Sequence, residues 1–331
     1  MIPISVIIKT MSLVEKIKLK AIDLGFDLVA VTDASPISPE YINYFSNWLD
    51  AGFSAEMSYM HRNFEKRTDP RKLFPPAKSI IIVGLNYKCK SLPQKPSHQP
   101  LGQICDYALY PDYHDFIKHR LRKLAVYINT IFDDLKFKIC VDSAPLAERP
   151  LAARAGLGFI GKNHMLINPS LGCQIFLGEL LINIDLPCDK PLQQTCENCD
   201  LCIKACPTGA LNPDGSFDAS KCISYLTIEH KSDITPSLAG KFADSIFGCD
   251  RCSKACPYHQ KAPACKNKDF KPDLEKKYIV LDTILNMTQK KFANDFKTTP
   301  IHRTGLENLK RNARICKTNK IIANSSISIT D

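Results

Sequence analysis

Eight cysteines between Cys196 and Cys256 constrain this chain more than any other feature. They form two runs, Cys196-x2-Cys199-x2-Cys202-x3-Cys206-Pro207 and Cys249-x2-Cys252-x3-Cys256-Pro257, with Cys222 between them. An x2-x2-x3 spacing closed by Cys-Pro is a pattern for cuboidal iron–sulfur clusters. Three close thiolates hold one cluster and the fourth reaches across to the other. Ala255 stands where the second run would need a third local ligand, so Cys222 is the free candidate to complete its cluster. Using each thiolate once gives Cys196, Cys199, Cys202 and Cys256 for one 4Fe–4S cluster, and Cys206, Cys222, Cys249 and Cys252 for the other. Zinc is the rival reading, because paired CxxC units also suit a tetrahedral site. The two Cys-Pro closures favour iron–sulfur. Clusters that share ligand segments lie close together and form an electron wire.

The other seven cysteines (Cys89, Cys105, Cys140, Cys173, Cys188, Cys265 and Cys316) are scattered, and the total of 15 is odd. An extracellular disulfide framework suits a far smaller chain. At 331 residues, with 44% hydrophobic and 24% charged, two or more globular domains are expected. No apolar run approaches the roughly 18 residues that span a bilayer. Met1–Ile8 is apolar but short, and its first lysine follows it, unlike a secretory leader. A cytoplasmic protein without membrane attachment is expected, starting at Met1 or Met11.

Before the cysteine block, strands and helices alternate. Val14, Ile17, Ala21 and Leu24 recur at helical spacing, with Gly25 as a stop, and Phe26–Val31 reads as a strand. Ser79–Leu85 is a second strand, 90–103 a loop with three prolines, and Ile117, Leu121, Leu124, Ile128 and Ile131 mark a helix over 114–132. Phe137–Val141 is a strand ending at Asp142, and Gln174–Ile184 is another. The pattern implies an α/β (or α+β) domain over 1–188. A two-cluster bacterial ferredoxin-like domain over 189–262 follows, then a basic, mainly helical region over 263–331 with a helix at 279–295.

Charge is concentrated at the end. The formal net charge is +10, and the part from Pro257 onward carries 15 Lys+Arg against 7 Asp+Glu, or +8. A cationic section on a nearly neutral body suits a polyanionic partner, with nucleic acid first. A solvated lysine-rich surface is the plainer alternative.

Several stretches together resemble the epoxyqueuosine reductase family. They are Val141-Asp-Ser-Ala-Pro-Leu-Ala-Glu-Arg-Pro-Leu-Ala-Ala-Arg-Ala-Gly-Leu-Gly-Phe-Ile-Gly-Lys-Asn163, Phe176-Leu-Gly-Glu179, Glu56-Met-Ser-Tyr-Met60, Lys66-Arg67 with Asp69-Pro70, Asp112-Tyr-His-Asp115, and Cys222-Ile-Ser-Tyr-Leu-Thr-Ile-Glu-His-Lys231. The likeness covers about residues 12–260. It implies an oxidoreductase with two 4Fe–4S clusters and cobalamin, which removes the epoxide oxygen of epoxyqueuosine at the tRNA wobble position.

Asp142 matches the family's general acid, and burial would keep such a carboxyl protonated. Without the resemblance, Asp142-Ser143 after a strand would read as a helix N-cap. The resemblance also assigns Arg67, Cys105, Asp142, Lys162, Asn163, Ser224 and Asp250 to the cobalamin pocket. It makes the anticodon arm the partner of the basic section, through Lys231, His302, Arg303, Lys310, Arg311 and Arg314. A low-potential, flavodoxin- or ferredoxin-like electron donor and a monomeric state are expected.

The chain departs from the family pattern at Ala55, Asp106, Leu109-Tyr110-Pro111, Phe159 and Ala243-Asp244-Ser245. Arg303-Thr-Gly305 and Lys310-Arg311-Asn312-Ala313 are similar to the opening of the HEAT-like repeat of longer members, here short. Two other readings are a cobalamin iron–sulfur reductase of a small molecule, similar to reductive dehalogenases, and a non-catalytic iron–sulfur electron carrier.

Overall fold

Ser12 opens the first helix by the chemistry of its side chain. In this computed structural model, which describes residues 11–96 and 99–327, Ser12 Oγ accepts the Glu15 N–H while Glu15 Oε2 accepts the Ser12 N–H. This capping box satisfies amides that the first helical turn leaves unpaired, and the helix runs Leu13–Asp23. Met1–Ile8, read above as no leader, lies outside the described residues.

The chain forms two compact units, each assembled from separated segments. The first comprises residues up to 47, then 59–87 and 113–197; the second comprises 48–58, 88–112 and 198 onward. This division differs from the expected segments 1–188, 189–262 and 263–331. The reason is strand pairing: Leu101–Ile104, placed in a loop by its prolines, pairs in parallel with Ser245–Phe247 and antiparallel with Tyr278–Val280. Distant segments thereby join one small sheet.

The first unit is built on a four-stranded sheet in the order Leu28–Asp33, Ser79–Asn86, Ile175–Ile182, Phe137–Cys140, with every pairing antiparallel. All eight residues of each central strand are buried, as expected of strands covered on both faces. One face carries Ile80, Ile82 and Leu181 against Leu151 and Ala152 of the helix Glu148–Arg154. The other receives the helix Tyr113–Asn129 at Gly178, where an added Cβ would stand 2.5 Å from Ile117 Cγ2. Arg154 ties the outer loop: its guanidinium donates to Thr32 Oγ1 at 2.8 Å, Asp33 O at 2.7 Å and Pro36 O at 2.8 Å.

In the second unit the long helix Leu306–Ile327 presents Leu306, Leu309, Ala313 and Cys316 inward. Buried Asn312 Nδ2 donates to Thr227 O and Ile246 O, both at 2.9 Å, so the helix is fastened to the segment between the cysteine runs. The single helix expected at 279–295 is instead strand Tyr278–Val280, helix Leu281–Leu285 and helix Gln289–Phe296. Thr288 caps the last of these by accepting the Lys291 N–H at 3.2 Å, which starts a new helix where the periodicity suggests continuity.

Candidate functional site

The two cysteine runs fold alike. Asp200 precedes the short helix Leu201–Lys204 and Asp250 precedes Arg251–Lys254; each then closes as Ala-Cys-Pro. Among the described residues no disulfide joins any of the fifteen cysteines, so the donor set a pair of clusters needs is intact. Burial pushes the Cys222 thiol up to about 11 and Cys252 up to about 12. Burial also raises Cys206, but hydrogen bonds from Thr208 and the backbone outweigh it and leave that thiol below its ordinary value. Cluster assembly therefore has to expel protons, since only thiolates ligate. Among the described residues no three His, Cys, Asp or Glu side chains are gathered closely enough for a single metal ion.

Cys105 and Asp250 lie together in the second unit. Buried Cys105 donates its N–H to Phe247 O at 2.9 Å, and a Cβ on Gly248 would stand 2.2 Å from its Sγ. Only glycine fits there. Asp250 Oδ2 accepts the Asp106 N–H at 2.8 Å, while Lys277, 0% exposed, donates to Asp106 Oδ1 at 2.6 Å and to Ile104 O at 2.7 Å. Lys254 also donates to Asp106 Oδ1, at 3.1 Å. Two carboxylates and two ammonium groups thus neutralise one another below the surface, as buried charges must. Burial and the Asp106 charge push the Asp250 carboxyl up to about 6. Ser224, two residues after Cys222, is half-buried, and its carbonyl accepts from Thr227 Oγ1 at 3.2 Å.

In the first unit Asp142 follows the strand Phe137–Cys140 with φ +54°. The expected burial is absent: the side chain is 45% exposed, and its Oδ2 lies 3.3 Å from His114 Nε2. It caps no helix, since Glu148–Arg154 begins after Ala147 without a side-chain cap. Arg67 O accepts the Ala147 N–H at 3.1 Å. Among the described residues Arg67 Nε and Asn163 Nδ2 are buried without an acceptor, which makes them two donors that a bound polar group could satisfy. Asn163 Oδ1 accepts the Met165 N–H at 3.1 Å. Lys162 points elsewhere, its Nζ donating to Glu197 O at 3.0 Å.

The basic residues divide by geometry. Arg311 commits its whole guanidinium: Nη1 donates to His230 O at 2.9 Å and Ser232 O at 2.7 Å, Nη2 to Leu226 O at 2.7 Å and Asn312 Oδ1 at 3.0 Å, and Nε to Asn312 Oδ1 at 3.2 Å. The phosphate contact expected of Arg311 finds its donors already used, and the residue instead pins the 226–232 loop. Glu56 braces that loop from another side, accepting from Ser232 Oγ at 3.0 Å. Lys231 Nζ lies 3.4 Å from Thr304 O, Arg303 pairs with Glu229 at 2.6 Å, and His302 stacks on Phe292. Arg314 is exposed and Lys310 half-buried. Arg311's structural role, and the carboxyls Glu148 and Glu179 beside Asp142, are what the residue pattern alone did not expose. Both glutamates sit inside the stretches quoted above.

Paired Asp–helix–Ala-Cys-Pro turns in two cysteine runs define a two-cluster iron–sulfur oxidoreductase, and residues 195–259 match the family model described as "4Fe-4S double cluster binding domain". Residues 67–143 match the one described as "Epoxyqueuosine reductase QueG, DUF1730". The chain belongs to the epoxyqueuosine reductase family. It is 38% identical to the epoxyqueuosine reductase of Leadbetterella byssophila, over 92% of this chain and 98% of that one. To that of Escherichia coli K12 it is 36% identical, over 88% and 77% respectively. A solved epoxyqueuosine reductase from Streptococcus thermophilus superposes with a TM-score of 0.85 at 29% identity, covering 97% of this chain and 85% of that chain. A crystal structure of an epoxyqueuosine reductase with an epoxyqueuosine-modified tRNA-Tyr stem loop gives 0.87 at 29% identity, over 93% and 81%.

Proposed function

We propose that this protein reduces the epoxide of epoxyqueuosine at the wobble position of tRNA to the alkene of queuosine. The observation that carries the reading is the pairing, in one chain of this family, of a double-cluster cysteine set with an outward-facing Asp142. Opening the epoxide to an alkene consumes two electrons and two protons and releases water. The cysteine sets assigned above would hold the clusters that deliver the electrons singly, from a low-potential flavodoxin- or ferredoxin-like donor.

Cobalamin, when bound, would supply a metal centre able to take up electrons one at a time. Arg67, Cys105, Asp142, Lys162, Asn163, Ser224 and Asp250 are the residues we assign to holding it. The acceptorless donors Arg67 Nε and Asn163 Nδ2 support the fit, because a corrin carries amide carbonyls at its rim and such orphan donors each cost about 1–3 kcal/mol until paired. Asp142 gives a proton to the departing oxygen, and His114, 3.3 Å away, orients its carboxyl. The anticodon arm is held by phosphate contacts from Lys310, Arg314, His302 and Arg303, with Lys231 nearest the loop. Arg311 supports that surface from within. The wobble base of a folded tRNA sits in a loop that can be splayed out, which lets it reach a protein side chain such as Asp142.

Among the described residues no helix is long and apolar enough to cross a membrane, and we place the protein in the cytoplasm with its tRNA, as a monomer. Anaerobic reconstitution with iron, sulfide and cobalamin, followed by mass analysis of tRNA nucleosides, tests the reading. Loss of one oxygen from the modified base is expected. A colourless preparation holding only zinc, or an unchanged nucleoside, contradicts it.

A further inference from the structure

Glu148 and Glu179 have no part in the chemistry above, yet they sit directly behind Asp142. Glu179 lies on the strand Ile175–Ile182 opposite Cys140, and Glu148 opens the helix Glu148–Arg154. Glu148 Oε1 accepts the Asp142 N–H. The φ of +54° at Asp142 is left-handed, a conformation that costs a non-glycine residue about 1–2 kcal/mol, so the surroundings must hold it. The Ser143 N–H, donating to Val141 O at 2.6 Å, closes the same turn. Behind Glu148, Glu179 is 0% exposed, and among the described residues no N–H donor reaches either of its oxygens. Arg149, Arg67 and Asp142 act on Glu148, Cys140 and Asp142 act on Glu179, and His114 faces Asp142.

We propose that Glu148 is a positioning residue for Asp142: its carboxylate oxygen, seated against Glu179, locks the left-handed Asp142 backbone and so fixes where the Asp142 carboxyl stands. The inference rests on the reading of Asp142 as the proton donor. Two carboxyls packed this way do not both ionise. Burial and the Glu148 charge hold Glu179 well above the usual carboxylate range, and Glu148 Oε1 accepts the Asp142 N–H. The cost of an uncompensated buried acid is thus tolerated where it stiffens a loop, as strained functional backbones require.

Three variants of the reconstituted enzyme test this. In Glu148→Gln the amide oxygen accepts the same N–H and its NH2 donates to Glu179. Asp142 amide exchange and turnover should stay within about threefold of wild type. Glu148→Ala removes the acceptor. Exchange at the Asp142 amide, read by hydrogen–deuterium exchange over residues 139–146, should rise about tenfold for a lost charge-assisted bond. Its kcat should fall about 100-fold through misplacement, with KM for tRNA unchanged.

Glu148→Gln as slow as Glu148→Ala would overturn the proposal, since Glu148 would then act through its proton. Wild-type amide exchange in Glu148→Ala would overturn it too. If Glu148→Ala fails to fold, the retained turnover expected of Glu148→Gln still decides. Asp142→Asn examines the underlying reading separately: full turnover there removes Asp142 as proton donor, while the amide exchange still reports whether Glu148 holds the loop.

Discussion

Gly248→Ala isolates the close approach that sets Cys105 beside the second cysteine run. Gly248 precedes Cys249, has φ +70°, and would place a Cβ 2.2 Å from Cys105 Sγ and 2.7 Å from Cys105 Cβ. Gly209, three residues after Cys206, is a natural control: its φ is +65° but nothing lies within 4 Å of an added Cβ. Both alanines meet the left-handed cost of about 1–2 kcal/mol. Only Gly248→Ala adds overpacking against a buried side chain, worth another ~1–3 kcal/mol. At roughly 2–4 °C per kcal/mol for a unit of this size, the melting midpoint should drop about 2–8 °C for Gly209→Ala and about 4–20 °C for Gly248→Ala. The assay is anaerobic melting of the cluster-loaded protein, followed through the visible absorbance of its clusters. Adding Cys105→Ala to Gly248→Ala removes the sulfur contact and should recover part of the extra loss. Equal losses at the two glycines would refute the reasoning.

Other outcomes follow from the same geometry. Cys222→Ser should halve the iron content, because Cys222 is the ligand assigned between the runs; full retention, or loss of both clusters, would contradict the assignment. Burial pushes Glu148 up to about 7 from its ordinary 4.5 and Glu179 well above its own, so the folded chain binds protons that the unfolded chain releases. The stabilising contribution of Glu148 is complete below the ordinary glutamate range and is lost as pH rises through about 7, and that of Glu179 falls in the same direction. Glu179→Gln should flatten that decline in melts recorded across the window. Arg311→Met should weaken binding of the anticodon stem loop about tenfold at unchanged iron content, whereas Arg314→Gln should lower the slope of log affinity against log salt by about one.

The sequence carried the chemistry of the site further than its architecture. Cysteine spacing is a local, covalent signal, so both runs could be paired into ligand sets without knowing the fold. Strand partners are not local. Nothing in Leu101-Gly102-Gln103-Ile104 announces that it will pair with residues 245–247 and 278–280, and the prolines before it point the other way. The helix Leu306–Ile327 did leave a trace, in Leu306, Leu309, Ala313 and Cys316, but it is a narrow stripe on a polar, lysine-rich background. Arg311 misled for a related reason: in a basic segment an arginine reads as a phosphate contact, while the backbone carbonyls that claim it carry no sequence signature. Asp142 was legible by resemblance alone, and its exposure and left-handed backbone were not.

The most direct measurement is single-turnover conversion of epoxyqueuosine tRNA by reconstituted wild-type and Asp142→Asn protein, followed by nucleoside mass. Wild type should strip one oxygen from the base, and Asp142→Asn should do so at least about 100-fold more slowly with its cluster and cobalamin content intact. Equal rates in the two proteins, or no deoxygenated base from wild type, would contradict the claim that a carboxyl at this turn completes an electron-driven deoxygenation.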